Sequence, residues 1–127
     1  MKLPEELKYT EEHEWVRIHE DGVTATIGIT DFAQGELGDI VFVEFEPEGE
    51  LYEQGEVFGS VEAVKAVSEL FLPITGTISR HNPALEETPE LVNSDPFGEG
   101  WMIELSLSDP AQVDDLLSSQ EYADHVA

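Results

Sequence analysis

Short runs of alternating apolar and polar residues, each closed by turn-forming residues, most constrain what this chain can fold into. Residues 23–29, VTATIGI, alternate aliphatic side chains with threonine or glycine, which is typical of a strand with one buried face. Four further runs predict strands, at residues 39–45, 56–64, 70–80 and 101–107. Turn sequences such as EDG, EPEGE and NSDPFGEG separate the runs. The pattern predicts a mainly β fold, a sandwich or a barrel.

Helices are predicted at two places. Asp109 suits a helix N-cap and Pro110 the first helical position, and aliphatic residues follow at helical spacing. We therefore predict a C-terminal helix at about residues 110–125, with a break near Ser118. A shorter helix is predicted within residues 29–38.

Length and composition narrow the class of protein. A chain of 127 residues with 40% hydrophobic residues predicts one globular domain over residues 1–127. No apolar run approaches the ~18 residues of a membrane span, and the opening MKLPEELKYT has neither a signal nor a transit pattern. The cytoplasm is the expected compartment. With no cysteine, disulfides, thiolate metal sites and cysteine nucleophiles are excluded.

The formal charge of −24 argues against nucleic acid as a partner, since phosphate binding needs clustered lysine and arginine. Only five residues are basic, against 29 acidic ones. The simplest interpretation is a well-solvated surface. Docking to basic partners, adaptation to high salt and mimicry of DNA charge are the more specific alternatives.

Catalytic and metal-binding patterns are not found in the sequence. The four histidines show no metal-ligand spacing, and there is neither a phosphate-binding glycine loop nor a GxSxG motif. Glu12 and Glu14 cannot be assigned as an acid and base pair from spacing alone in so acidic a chain. We therefore predict a protein without catalytic or metal-binding residues.

Lys65 is unusual because it lies in the apolar, β-prone run SVEAVKAVSELFLP, whereas the two other lysines are near the N-terminus. Gly55 precedes it by ten residues and Gly76 follows it by eleven, so we predict a hairpin at about residues 55–76 with Lys65 at its tip. A tip lysine is accessible to a modifying enzyme. The alternative is an ordinary edge lysine that discourages aggregation of sheets.

The chain resembles the H proteins of the glycine cleavage system, which carry lipoate as a shuttle. The similarity runs from about residue 8 to residue 122 and includes the C-terminal helix. Four blocks carry most of it, in the order of the family: LKYTEEHEWVR (7–17), TIGITDFAQGELGDIVFVE (26–44), GSVEAVKAVSE (59–69) and LVNSDPFGEGWMIEL (91–105).

This resemblance implies a barrel-sandwich fold of two antiparallel sheets, with lipoate in amide linkage to Lys65. Glu62 and Gly76 match the glutamate and glycine that help a lipoylating enzyme recognise the site. The implied partners are a pyridoxal phosphate-dependent glycine decarboxylase, a tetrahydrofolate-dependent aminomethyltransferase and dihydrolipoyl dehydrogenase. The chain would act as a monomeric carrier that binds neither nucleic acid nor membranes and catalyses nothing.

The resemblance also implies a cleft in which the loaded arm is held, bordered by the HEW segment and the residues after the lysine. Glu12, Glu14 and Glu69 are the candidates, and Glu14 is preferred for holding the cationic aminomethyl group by charge-assisted hydrogen bonds. In so acidic a chain, an ordinary solvated glutamate is an equally good interpretation.

Related carriers remain as alternatives. Biotin carriers usually have Met-Lys-Met, whereas residues 64–66 are Val-Lys-Ala. Lipoyl domains of 2-oxoacid dehydrogenases typically have Asp-Lys-Ala, are shorter and lack the HEW and DPFGEGW sequences. An H-like protein that relays lipoyl groups to such dehydrogenases is a further possibility. From another class, an acidic interaction protein would leave Lys65 unmodified.

Overall fold

The structure is a computed structural model that describes residues 3–127. This part of the chain forms nine strands and five short helices. The strands are β1 (Lys8–Tyr9), β2 (Glu14–Ile18), β3 (Thr24–Ile29), β4 (Ile40–Phe45), β5 (Leu51–Tyr52), β6 (Val57–Ala63), β7 (Val67–Phe71), β8 (Gly76–His81) and β9 (Ile103–Leu107). The helices are α1 (Asp31–Leu37), α2 (Ala84–Glu87), α3 (Leu91–Ser94), a 3-10 helix (Pro110–Asp115) and α4 (Ser119–Val126).

The strands form two antiparallel sheets, which confirms the predicted fold class. One sheet has the strand order β1-β2-β3-β9-β8-β5 and the other the order β4-β6-β7. Buried aliphatic side chains of both sheets, among them Ile27, Val61, Ile78 and Leu105, share one hydrophobic cluster. Burial of each such side chain stabilises the fold by roughly 1.5–3 kcal/mol.

The segment 70–80 was predicted as one strand, and this prediction is wrong. The structure ends β7 at Phe71 and begins β8 at Gly76, so the chain crosses from the three-stranded sheet to the six-stranded one. Pro73 lies in the crossing and has no N–H to donate to a strand ladder. Leu72 and Ile74 are nevertheless fully buried. Because both are apolar, residues 70–80 have the sequence pattern of one continuous strand.

The predicted C-terminal helix at about residues 110–125 is also corrected. Residues Pro110–Asp115 form a 3-10 helix, and the α-helix begins only at Ser119. Ser118 caps it by accepting a hydrogen bond from the Glu121 N–H, while the Glu121 carboxylate accepts one from the Ser118 N–H. This capping box favours a new helix start there, at the residue where the sequence predicts a break.

A second buried cluster attaches the C-terminal helix to the six-stranded sheet. It contains Leu7, Tyr9, Trp15 and Tyr122, and the rings of Tyr9 and Tyr122 stack at 5.0 Å. Trp15 lies so close to Gly28 that a Cβ there would be 2.7 Å from its ring. Glycine is therefore required at residue 28, and any larger residue would displace the indole.

The acidic surface has few internal counter-charges. Among residues 3–127 one ion pair is found, between Arg80 Nε and Glu104 Oε1 at 3.6 Å. Most carboxylates therefore meet solvent without a cation beside them, and a strongly negative field surrounds the molecule. Within the same residues no helix is long and apolar enough to cross a membrane.

Candidate functional site

Lys65 lies in the turn that joins β6 to β7, and its side chain is exposed. The turn is closed by a hydrogen bond from the Ala63 N–H to the Ala66 carbonyl at 2.7 Å. A second bond, from the Val64 N–H to the Asp39 carbonyl at 3.1 Å, attaches the turn to the segment before β4. The structure thus presents the amine to solvent on a braced hairpin.

Gly38, which the sequence analysis did not single out, lies under the lysine side chain. Its φ of +83° belongs to the left-handed region, and a Cβ at this residue would be 3.3 Å from Lys65 Cε. Glycine is favoured here both by its backbone conformation and by the close passage of the lysine stem. A glycine directly after a helix is a common stop signal, but that signal does not reveal what passes over it.

Asn93 holds the Gly38 segment in place and was likewise missed. Its side-chain amide donates to the Gly38 carbonyl at 2.9 Å and to Gln34 Oε1 at 2.8 Å, and its Oδ1 accepts from the Ile40 N–H at 2.8 Å. These three bonds join α3 to the junction of α1 and β4. The backbone on which the lysine stem lies is therefore fixed by a residue 55 positions away in the chain.

A cleft of about 360 Å³ opens between the HEW segment, α1 and β7. It brings together Glu12, Glu14 and Glu69, the three glutamates singled out in the sequence. Ile29, Phe32, Ala33, Leu37 and Leu70 supply its apolar lining. Glu36 and Leu37 also line the cleft and directly precede Gly38, the residue against which the Lys65 stem lies. The arrangement combines an apolar slot with carboxylates beside an exposed amine.

Glu14 is the buried member of this group, with 2% of its surface exposed, whereas Glu12 and Glu69 are exposed. Its carboxyl accepts hydrogen bonds from Thr10 Oγ1 at 2.7 Å and from the Phe71 N–H at 3.3 Å. Burial outweighs these bonds and raises the pKa of Glu14 to about 8. A carboxyl with this raised pKa favours its protonated form at neutral pH, unlike the solvated glutamate that the sequence also allowed.

His13 forms the cleft wall beside Glu14 and has an unusual backbone, with φ at +75°. Its Nδ1 is 2.7 Å from Tyr122 Oη, which is 2.8 Å from Thr30 Oγ1, and its ring packs on Phe32 at 5.0 Å. Burial and the nearby His125 lower the pKa of His13. Since Thr30 also caps α1, this chain of bonds connects α4 to the cleft. Sequence spacing could not reveal a contact between residues 109 positions apart.

Glu62 and Gly76 lie in different sheets. Glu62 is exposed on β6, three residues before Lys65. Gly76 is buried in β8, paired with Tyr52 on one side and Leu107 on the other. A Cβ on Gly76 would be 2.4 Å from the Ser106 carbonyl oxygen, so close packing requires glycine there regardless of any enzyme. Direct recognition of either residue by a lipoylating enzyme stays a prediction.

Comparison with known proteins decides the family. The family model described as Glycine cleavage H-protein matches residues 7–127. This chain belongs to the glycine cleavage H-protein family. The resemblance found in the sequence is thereby confirmed, and this H protein is a carrier component of the glycine cleavage system, a membership that supports a lipoyl-carrier role.

Individual relatives agree with this assignment over nearly the whole chain. The glycine cleavage system H protein of Salinibacter ruber is 56% identical over 124 residues, 98% of each chain. That of Bacteroides fragilis is 54% identical over 122 residues, 96% of this chain and 95% of the relative. The crystal structure of an H protein from Mycobacterium marinum has a TM-score of 0.89 at 35% identity, covering 98% of both chains.

Proposed function

We propose that this H protein carries lipoate in amide linkage to Lys65 and shuttles an aminomethyl group between the enzymes of the glycine cleavage system. The observation that carries the proposal is the position of the exposed Lys65 stem against Gly38, the residue that follows Glu36 and Leu37 of the carboxylate-lined cleft. An arm on this amine can swing out to a partner or fold back into the cleft. Amide formation also removes the ammonium charge of Lys65, so the point where the arm is attached costs less free energy to desolvate.

Each chemical step belongs to a partner, and the chain holds and protects the arm. The lipoyl disulfide, when attached, supplies a reversible sulfur acceptor for the aminomethyl group. The partners are glycine decarboxylase with pyridoxal phosphate, an aminomethyltransferase with tetrahydrofolate, and dihydrolipoyl dehydrogenase, which restores the disulfide. Because the chain contains no cysteine, no thiol of its own can enter exchange with the arm.

The cleft residues protect the aminomethyl group on the lipoyl arm from spontaneous release. The apolar wall excludes water, and Glu14 can accept a hydrogen bond from the cationic amine of the aminomethyl group. A cation beside Glu14 favours the ionised form of the carboxyl, so loading the cleft is coupled to release of a proton. Glu12 and Glu69, both exposed at the edge, add negative charge near the entrance.

Glu14→Gln is expected to release the aminomethyl group faster than the unsubstituted protein, by about tenfold, because one charge-assisted hydrogen bond is lost. Spontaneous release is followed as ammonia and formaldehyde from the isolated loaded protein. Glu20→Gln is the matched control, because Glu20 is an exposed glutamate in a turn outside the cleft. An unchanged release rate in Glu14→Gln would rule out this role for Glu14.

The attachment itself is tested on protein purified from its own host. Intact mass is expected to show one lipoyl increment, and peptide mapping to place it in the peptide containing Lys65. The protein should then restore glycine cleavage to the three purified partner enzymes. A lipoylated protein active only with a 2-oxoacid dehydrogenase would favour the relay or lipoyl-domain alternatives. An unmodified Lys65 in cells that lipoylate other proteins would favour an acidic interaction protein.

A further inference from the structure

Thr10 closes the loop that leads into the HEW segment. Its N–H donates to the Glu14 carbonyl at 3.0 Å, and its carbonyl accepts from the His13 N–H at 3.1 Å. The Glu14 N–H in turn donates to Thr10 Oγ1 at 3.1 Å. Tyr9 and Trp15 form the preceding pair of the β1–β2 ladder. Thr10 therefore continues that ladder, and its hydroxyl is fixed relative to the Glu14 backbone.

The same hydroxyl also contacts the Glu14 carboxyl group. Thr10 Oγ1 lies 2.7 Å from Glu14 Oε1, and the Phe71 N–H donates to Glu14 Oε2 at 3.3 Å. Each carboxyl oxygen thus has one partner from the protein. A carboxylate offers about four lone-pair sites, so both oxygens keep acceptor capacity for a cationic amine.

Both partners approach Glu14 from the side away from the cleft. A second pocket, of about 250 Å³, shares Glu12 and Glu14 with the cleft but otherwise has different walls. Thr10 and Phe71 line this second pocket, and neither is among the described residues that line the cleft. Any effect of Thr10 on an arm in the cleft therefore passes through Glu14.

The chemistry of a hydroxyl suits a partner that changes its protonation state. A backbone N–H can only donate, so the proton of neutral Glu14 belongs on Oε1 rather than on Oε2, which faces the Phe71 N–H. Thr10 Oγ1 has two lone pairs and one proton. One lone pair accepts from the Glu14 N–H, and the second can accept from the neutral carboxyl. When Glu14 is ionised, the hydroxyl rotates and donates to Oε1 instead.

We propose that Thr10 is a positioning residue for Glu14, whose hydroxyl holds Oε1 in place in both protonation states by reversing the direction of one hydrogen bond. This inference rests on the proposed role of Glu14 in holding the aminomethyl group. The carboxyl keeps its orientation when a cationic amine arrives and the proton leaves for solvent. The bond to the ionised form is the stronger one because it is charge-assisted, so Thr10 also favours the state that binds the amine.

Other titratable groups near Glu14 have to be separated from this effect. Those that line the two pockets with it are Glu11, Glu12, His13, Glu36, Glu69 and Asp115. The five acidic groups among them are all exposed, and burial lowers the pKa of His13. Burial raises the pKa of Tyr9 and of Tyr122, so neither tyrosine ionises near neutral pH. All these groups are common to the variants compared below.

The first test follows the Glu14 carboxyl directly, by carbon-13 NMR of the unmodified chain over a pH series. Thr10→Val keeps the shape of the side chain and removes the hydroxyl, and it is expected to raise the titration midpoint of Glu14 by roughly one pH unit. Thr10→Ser restores a hydroxyl and should titrate near the wild-type midpoint. Thr77→Val is the matched control, because Thr77 is a half-buried threonine on β8 outside both pockets. A wild-type midpoint in Thr10→Val would overturn the proposal.

The second test measures spontaneous release of the aminomethyl group from the isolated loaded protein. Thr10→Val should release it roughly fivefold faster than the wild type, because Glu14 is less often ionised and less well oriented. Thr10→Ser and Thr77→Val should release it at near the wild-type rate. In a Glu14→Gln background, Thr10→Val should add little further acceleration, since its effect passes through the carboxylate. Equal acceleration in that background, or failure of Thr10→Ser to restore the rate, would show that Thr10 acts only through general packing.

The two tests also separate this inference from the proposed role of Glu14. If Glu14→Gln leaves the release rate unchanged, the proposed role of Glu14 fails, and a shifted midpoint in Thr10→Val still supports the hydrogen bond proposed here. If Glu14→Gln accelerates release and Thr10→Val does not, only the inference about Thr10 is wrong. Circular dichroism melting verifies that each variant is folded.

Discussion

Lys65→Ala is expected to abolish aminomethyl transfer in a reconstituted glycine cleavage assay while leaving the free energy of unfolding within about 0.5 kcal/mol of the wild-type value. Activity is lost because, within residues 3–127, no other lysine lies in a hairpin turn where the arm could be attached. Stability is kept because the side chain is exposed in the turn between β6 and β7. Glycine-dependent release of CO₂ measures the first effect and thermal unfolding the second.

A second variant separates loss of the amine from loss of the charge. Lys65→Arg keeps the positive charge at the tip, yet a guanidinium is not an acylation target in this chemistry. Both variants should therefore be inactive. Full activity of either one with the purified partners would show that the cargo is not carried on Lys65.

The free energy of unfolding of the wild-type protein is expected to contain a component from Glu14 that falls as pH rises from about 4.5 to about 8. Burial raises the folded-state pKa of Glu14 from 4.5 to about 8. The folded state therefore binds the Glu14 proton more tightly than the unfolded state does. That stabilisation is complete below pH 4.5 and is lost as pH rises through the folded-state pKa. The difference across the window is on the order of a few kcal/mol.

Glu14→Gln isolates this component, because glutamine is close in shape to the protonated carboxyl and does not titrate. At pH 5 the free energy of unfolding of the variant should be equal to or lower than that of the wild type. At pH 8.5 it should be higher than that of the wild type. Urea unfolding at a series of pH values measures both curves under the same salt, so the titration of the other carboxylates cancels in the difference. Parallel curves would show that Glu14 is not held protonated by burial.

Local patterns in the sequence account for much of the fold and for the position of the lysine. Alternation with a period of two is a property of neighbouring residues, so the position of β3 could be predicted from residues 23–29. The prediction of a single buried face is wrong, because Thr26 and Gly28 on the other face are buried as well. The shorter helix predicted within residues 29–38 is α1, and its N-cap Thr30 acts only on the next few residues. The hairpin tip at Lys65 followed from strand-like residues on both sides, and the matching blocks of sequence then identified the family.

The properties of the cleft depend on contacts between distant parts of the chain, which local patterns do not record. Nothing local distinguishes Glu14 from the many other glutamates, and its pKa is raised because burial outweighs the hydrogen bonds from Thr10 and the Phe71 N–H, which favour the charged form. His13 meets Tyr122 through packing of the C-terminal helix. Phe42 and Val67 lie beside Glu62 because the register of the three-stranded sheet pairs them across its strands. The sequence alone thus determined strands, turns and the exposed lysine, whereas burial, proton affinity and cross-strand neighbours were decided by tertiary packing, since these depend on which surfaces exclude water together.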